Sequence, residues 1–368
     1  QDQADRAPDR TDIERFKIRV EHKDFVVHGL SILGKYYSTP VCGAPELGFW
    51  RPLAADSCKE MGRGRWVNVL VAGGTGMIGR RLAAALTAGG NSVWVLSRRA
   101  QPVPLPEGAT QIRWDGLTPY GWGHLVENMD AVVNLAGENI GQQRWSEQRK
   151  KLLRMSRLEP SQALLAAIEQ AHNRPSVFLQ ASAVGYYGPR KDDAVDESSP
   201  AGDDFLARLC VEWEEATRPV EGMGVRRVIL RTGMVLAKDE GLLPRLSLPF
   251  RLLVGVRMGN GHQWVPWIHI QDEVDAIRFL LERPGAYGPF NLSAPLPVTN
   301  DELGRALAAV LGRPYGLPVP APLLRAALGE MATLVLDGQR ALPVRLRAGG
   351  FAFSFTQLRD ALDDLLSG

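Results

Sequence analysis

From Val67 onward the chain alternates between two hydrophobic patterns. Short continuous apolar runs, of the kind buried on both faces of a sheet, fall at 67–72, 92–96, 110–114, 131–135, 176–181 and 226–231. Between them apolar residues recur at helical spacing over 77–88, 144–171 and 203–217. In the longest of these segments Leu152, Leu153, Leu158, Leu164, Leu165 and Ile168 are assigned to one side. Gly89-Gly90 closes the first helix in the usual C-terminal way. This alternation predicts an α/β fold, a doubly wound parallel sheet with helices on both faces. After about residue 235 the pattern loosens into loops with Pro and Gly and helices near 271–283, 300–312, 320–336 and 356–366. That part is too interrupted for a second sheet domain and reads as a smaller, α-rich cap.

The expected organisation is therefore an N-terminal extension over 1–65, a core over 66–235, and a cap over 236–368 with elements returning to the core. The extension is charged and lacks a sustained apolar face. Phe25 to Tyr37 reads as a strand or short helix and Pro40 to Pro52 as loop, in a segment packed on the core or partly disordered. The 368 residues carry 43 Lys plus Arg against 41 Asp plus Glu, a net charge of +2, which gives no general drive toward nucleic acid or membrane surfaces. No apolar run approaches the roughly 18–20 residues of a membrane span. Cys42, Cys58 and Cys210 are odd in number and far apart, suiting neither a disulfide framework nor a zinc site. A reducing compartment is expected, the cytoplasm, with an organelle matrix left open because the chain begins at Gln1.

The chemistry concentrates where the first strand meets its helix. Val67-Asn68-Val69-Leu70-Val71-Ala72 runs into Gly73-Gly74-Thr75-Gly76-Met77-Ile78-Gly79. Glycines 74, 76 and 79 satisfy G-x-G-x-x-G, and 73, 76 and 79 satisfy G-x-x-G-x-x-G. One glycine permits the tight turn, a second lets the backbone approach a pyrophosphate, and a third lets the helix pack closely on the strand. The helix N-terminus then presents unpaired N–H groups to the phosphates. This is the Rossmann-type dinucleotide arrangement, with Met77 and Ile78 supplying first-turn amides. In an NAD site an acid near the end of the second strand accepts from the ribose 2′-OH. Here Ser97-Arg98-Arg99 stands at that place, and a guanidinium suits a 2′-phosphate, so NADP is the expected cofactor.

With Asn134-Leu135-Ala136-Gly137 after the fourth strand, the sequence resembles the extended short-chain dehydrogenase/reductase superfamily. Within it, the chain resembles the atypical YfcH-like NAD(P)-dependent epimerase/dehydratase family, with mammalian relatives of the 39U type. The matching segments are Gly73 to Gly79, Asn134 to Ile140 with Arg144-Trp145, and Ser182 through Gly185-Tyr186-Tyr187-Gly188. Trp213-Glu214, Arg231-Thr232-Gly233, Trp267 to Ile270 with Asp272, and Gly338 to Pro343 complete the set, which spans roughly 67 to 366. The resemblance implies that Gly73, Thr75, Gly76, Ile78 and Gly79 cradle the pyrophosphate and that Arg98 meets the 2′-phosphate. Leu135, Ala136 and Gly137 would line the adenine-ribose side, and Asp115 would touch the adenine.

Catalysis in that superfamily uses a Ser, a Tyr and a Lys four residues after the Tyr. Matching Glu214 to the acid that follows the Lys puts the pair on Leu206 and Cys210, neither of which can do the job. Tyr187 and Lys191 have the spacing, but Gly188-Pro189 between them argues for a loop. A tyrosine at its ordinary pKa is about three units above neutral pH, so a phenolate costs roughly 4 kcal/mol, although a phenol still donates in the reducing direction. Ser182 with Tyr186 or Tyr187 is the candidate set for orienting a carbonyl, with a structural role for the tyrosines as the alternative. Arg144 and Trp145 either hold an anionic or flat substrate or pack at a helix start. His269 with Asp272 is either an acid/base pair touching substrate or a helix-entry and core pair.

The loop Gly259-Asn260-Gly261-His262-Gln263 with Trp264, Pro266 and Trp267 makes either a substrate wall or buried packing under the cap. His262 and His269 are too isolated for a ligand set, so no metal is expected. The expected activity is that of an NADP-dependent oxidoreductase or epimerase on a small carbonyl or sugar-like substrate. The alternative is a non-catalytic NADP-binding sensor or scaffold, a class suggested by plant relatives named for plastid division. Partners other than a small-molecule substrate are not expected, a recruiting role for residues 1–65 aside, and monomer or homodimer is left open.

Overall fold

Val69, Leu70, Val71 and Ala72 are all fully enclosed, as a strand covered on both faces must be. The structure, a computed structural model, describes residues 67–367. The expected extension with its Phe25–Tyr37 and Pro40–Pro52 segments, Cys42 and Cys58 lies outside the described residues. In chain order the core elements are β1 (Asn68–Ala72), α1 (Met77–Ala88), β2 (Ser92–Ser97), β3 (Ala109–Arg113), β4 (Ala131–Asn134), α2 (Glu147–Gln170), β5 (Val177–Ala183), α3 (Phe205–Glu215) and β6 (Arg226–Thr232). There follow α4 (Leu243–Arg251), β7 (Gly255–Met258), α5 (Ile270–Glu282), β8 (Gly288–Leu292), α6 (Asn300–Leu311), β9 (Tyr315–Val319), α7 (Ala321–Leu328) and α8 (Leu358–Leu366).

Seven strands pair in the order β8-β6-β5-β4-β1-β2-β3, all parallel. Alternate residues of β1 feed opposite faces. Val69 and Val71 join Leu82, Leu86, Ile277 and Leu362, whereas Leu70 and Ala72 join Trp122, Leu164, Ile168 and Phe178. The sheet is thus a doubly wound Rossmann-type layer, and the strand order reverses between β1 and β4. Ligands of such sheets sit outside the carboxyl ends of the strands at that reversal.

Between β4, β5 and α2, buried polar groups are matched rather than excluded. The Asn134 amide donates to Ser161 and to Gln180, both at 3.0 Å, and Ser161 donates to the Arg157 carbonyl at 2.7 Å. In α2, Leu153, Leu164 and Ile168 are buried as expected, but Leu152 is exposed. At 100° per residue Leu152 falls outside the stripe that carries Leu153, Leu164 and Ile168.

Two expectations are corrected. The apolar pattern predicts no strand at Gly288–Leu292, which opens on Gly-Pro, yet this seventh strand pairs in parallel with β6. The helix expected over 320–336 is broken: α7 ends at Gly329, whose φ of +62° is left-handed, and short turns follow at Gly329–Ala332 and Thr333–Leu336. The remaining cap elements are locally determined. Thr299 and Glu302 form a reciprocal capping box at the start of α6. In α8, Leu358, Ala361, Leu362 and Leu365 are buried at i, i+3, i+4 and i+7. No helix of the described residues is long and apolar enough to cross a membrane.

Glu273, in the first turn of α5, is enclosed. Thr232 donates to one carboxyl oxygen at 2.9 Å, and the other oxygen has no partner among the described residues. Burial pushes its pKa from 4.5 to about 8. Between those values the folded chain holds a proton that the unfolded chain has released. Stability therefore falls as pH rises through this window, by up to about 1.4 kcal/mol per pH unit. Glu273→Gln is expected to flatten the pH dependence of Tm across that range; an unchanged decline in the variant would refute the assignment.

Candidate functional site

The turn after β1 is held by close backbone contacts. Gly73 has a φ of +77°, and a Cβ there would lie 2.6 Å from the Leu135 carbonyl at the end of β4. A Cβ on Gly79 would meet the Gly73 carbonyl oxygen at 2.4 Å, and one on Gly74 would meet Val95 at 2.6 Å. Gly76 differs from these three: it is exposed, and its nearest obstacle, the Gly73 carbonyl oxygen, is 3.3 Å away. It is also the N-cap of α1, no side chain caps that end, and no acid stands in the first turn. The first-turn amides, including those of Met77 and Ile78, thus lack an intramolecular acceptor, which is what an anion at this end requires.

Beside the turn is a cavity of about 220 Å³ lined by Gly73, Thr75, Gly76, Ser97, Arg98, Asp115, Leu135, Ala136 and Gly137. These are nine of the expected cofactor residues. Gly79 stands behind them, where the helix packs on the turn, and Arg99 is not in the lining. Sequence reading missed Leu96, Trp114, Gly116 and Leu117, and also Ser156, Glu159 and Pro160 of α2. The last three sit at i, i+3 and i+4, the spacing of one helix face, which was the available signal. A larger surface groove of about 420 Å³, lined by Pro295, Leu296, Arg347, Phe351, Phe353 and Thr356, contains none of the glycine turn.

The polar groups of the cavity have distinct jobs. Asp115 accepts the amides of Leu117 and Thr118 at 2.7 and 2.8 Å and the Thr118 hydroxyl at 2.7 Å. Those bonds hold its carboxyl below the usual range and shape the adjoining loop. The Ser97 hydroxyl accepts the Arg99 amide. Arg98 is 65% exposed and meets Glu138 at 3.2 Å. An exposed pair of this kind is worth roughly 0–1 kcal/mol, so the guanidinium can exchange partners at little cost.

Farther along the sheet edge, a buried network takes up most of the expected catalytic hydroxyls. Ser182 donates to Glu214 at 2.7 Å, and Arg231 grips both Glu214 oxygens at 2.9 Å. Tyr187 is 0% exposed; it donates to Asn291 at 2.6 Å and accepts from Arg231 at 3.2 Å. Burial pushes its pKa up, the opposite of an activated phenol. The Tyr186 ring is half-buried, with the Arg231 guanidinium 3.4 Å from its centroid, and its hydroxyl has no partner among the described residues. Gly188 and Lys191 both have positive φ, so Tyr187 and Lys191 share no helical face. Cys210 is buried on α3, and burial pushes its thiol up to about 11.

The expected substrate residues separate. Arg144 is exposed, and a Cβ on Gly329 would lie 3.1 Å from its guanidinium. Trp145 is buried, donating to the Ile140 carbonyl and stacking edge-on against Phe205 at 5.1 Å. His269 is in the core. Its Nδ1 caps α5 by accepting the Gln271 amide, its ring lies 3.9 Å from that of Phe355, and burial lowers its pKa. Asp272 accepts the amides of Ser354 and Phe355, so this pair organises helix entry rather than the cavity. Trp267 is buried, and among the described residues no group of three or more His, Cys, Asp or Glu, with or without His262, is placed to hold a metal ion.

A doubly wound parallel sheet with an uncapped glycine turn at its reversal point defines a nucleotide-binding protein of the extended short-chain dehydrogenase/reductase type. The chain belongs to the NAD dependent epimerase/dehydratase family, whose model matches residues 69–293, and residues 319–365 match a domain of unknown function, DUF1731. An epimerase family protein of Mycobacterium leprae is 43% identical over 295 residues, covering 80% of this chain and 94% of the relative. The human epimerase family protein SDR39U1 (isoform 2), solved with NADPH, is 38% identical with a TM-score of 0.75, covering 82% of this chain and 99% of that one. A nucleoside-diphosphate sugar epimerase from Corynebacterium glutamicum is 32% identical with a TM-score of 0.67, over 82% of this chain and 58% of that one.

The unequal crowding of the glycines predicts unequal costs. Gly79→Ala must displace backbone and is expected to lose about 1–3 kcal/mol in denaturant unfolding, with a smaller loss for Gly76→Ala. Equal losses would contradict the packing described for this turn.

Proposed function

We propose that the chain is an NADP(H)-dependent oxidoreductase or epimerase acting on a small carbonyl or sugar-like substrate. The observation that carries this reading is the pairing of an uncapped α1 N-terminus with Arg98 at the end of β2, where no acid stands to accept from a ribose 2′-OH. The NADPH in the human relative supports the same choice. In this reading the amides of α1 take the pyrophosphate, Arg98 releases Glu138 for the 2′-phosphate, and Leu135, Ala136 and Gly137 flank the adenine-ribose side. Asp115 shapes the adenine end.

A bound nicotinamide dinucleotide supplies hydride exchange. The chain supplies orientation and a proton. Of the three candidate hydroxyls, Tyr186 is the one not engaged by Glu214, Arg231 or Asn291. We assign it the donation to the substrate oxygen, with Arg144 for an anionic substituent of the substrate. One observation favours a second reading, a non-catalytic NADP(H) sensor or scaffold: Ser182 and Tyr187 are already committed inside the protein.

NADPH oxidation over a carbonyl panel separates the two. Turnover abolished by Tyr186→Phe with NADPH affinity retained supports the enzyme. Tight binding without turnover on any substrate supports the scaffold. For the cofactor, Arg98→Ala is expected to weaken NADPH by about tenfold, or 1.4 kcal/mol, while NADH changes less than about twofold. Equal effects on both would remove Arg98 from phosphate recognition.

A further inference from the structure

Glu159, on α2, lines the cavity beside the glycine turn, and among the described residues its carboxylate has neither an ion pair nor a hydrogen bond. The other polar side chains of that wall are accounted for. Asp115 has both oxygens engaged, accepting the amides of Leu117 and Thr118 and the Thr118 hydroxyl. The Ser97 hydroxyl accepts the Arg99 amide. The Ser156 hydroxyl accepts the Glu138 amide at 3.1 Å and donates to the Leu153 carbonyl at 2.9 Å. Arg98 and Trp114 carry donors and no acceptor. Thr75 belongs to the glycine turn itself, at the phosphate end. Glu159 is therefore the free side-chain acceptor in the wall away from the turn. An ionised carboxylate only accepts, so what it can hold in this cavity is a donor.

Its position says which donor. Through Ala163 and Leu164, α2 packs on the face of the sheet that also takes Leu96, Trp114 and Ala136. Ser156, Glu159 and Pro160 are the part of the helix that reaches the cavity, and Ser156 holds the amide of the residue after Gly137. Leu96, Trp114, Leu117 and Pro160 give this part of the cavity apolar walls. Apolar walls with few polar groups take a base rather than a phosphate, and the polar groups then fix which base. The phosphorylated ribose falls to Arg98, at the end of β2. A carboxylate in the base compartment accepts from an exocyclic amine and repels a keto oxygen at the same place.

We propose that Glu159 selects the base of the dinucleotide by accepting the exocyclic amine of adenine, an assignment that rests on the cofactor reading above. The family resemblance puts the adenine contact on Asp115, but that carboxylate is committed to its own loop, whereas Glu159 is free. Base selection then resides on α2 and phosphate selection on Arg98, so one can be lost without the other. A base lacking the amine leaves the carboxylate unpaired and facing an oxygen, which is how a hydrogen-bonding site rejects an analogue of the same shape.

Calorimetry with two probes tests this: NADPH, and reduced nicotinamide hypoxanthine dinucleotide phosphate, in which a keto oxygen replaces the amine of the base. The wild-type protein is expected to bind NADPH about tenfold more tightly than the analogue. In Glu159→Ala, NADPH is expected to weaken by about tenfold while the analogue changes less than about twofold, so the preference disappears. Glu159→Gln, whose amide can turn to meet either base, is expected to bind the analogue more tightly than the wild type does. Arg98→Ala weakens both probes alike and leaves the preference in place. Equal wild-type affinity for the two probes overturns the assignment, as does an equal effect of Glu159→Ala on both. Equal tightening in that variant marks Glu159 as a charge facing the phosphates instead. Wild-type protein that binds neither probe overturns the cofactor reading as well. Should Glu159→Ala fail to fold, a crystal structure of the wild-type protein with NADPH decides: a Glu159 carboxylate beyond hydrogen-bond reach of the adenine amine rejects the proposal.

Discussion

The ion pair between Glu214 and Arg231 organises the carboxyl edge of the sheet. It joins α3 to β6, takes the Ser182 hydroxyl from β5, and through Arg231 reaches both Tyr186 and Tyr187. Both partners are almost wholly enclosed, at 8% and 5% side-chain exposure. Such a pair contributes little net stability against an apolar replacement, yet losing one partner costs roughly 3–5 kcal/mol because the other is left charged and dry. It therefore acts as a constraint. Once it forms, the Ser182 hydroxyl and the Tyr187 phenol are directed into the protein, while Tyr186 meets the network only through its ring face.

The carboxyl edge of the sheet is thus built differently at its two ends. At the β1–β3 end the walls are backbone turns and an exposed guanidinium whose present partner, Glu138, is weakly held. At the β4–β5 end Asn134, Ser161, Gln180, Ser182 and Tyr187 are buried and matched to partners inside the protein. The first end is adapted to exchanging partners and the second to keeping a shape.

Much of this was legible in the sequence where the determinant is local. The β1–turn–α1 junction, Arg98, Asp115 and Leu135 to Gly137 were found because strand period, glycine spacing and the order of elements put them at strand ends, and the structure gathers them around one cavity. Six strands follow from apolar runs, whereas β8 was hidden by its Gly-Pro start and by a partner strand far away in the chain. Gly329 ended α7 through a left-handed φ that helical periodicity alone does not reveal. What stayed hidden depends on tertiary pairing. Nothing in the local sequence around Ser182 announces that Glu214, 32 positions on, will accept its hydrogen bond. Likewise, Glu159 reads as one more polar residue on α2 until the helix is seen against the cavity.

The wall opposite Gly73 is the carbonyl of Leu135, contributed by β4, which lies on the other side of β1 from β2. A chain emerging from the ribosome thus displays its glycine loop well before it owns the surface that closes it. Parallel strands paired across such separations join slowly. Nucleotide can begin to favour the folded chain only after β4 has been synthesised and docked, so ligand rescue of folding is a late event during translation rather than an early one.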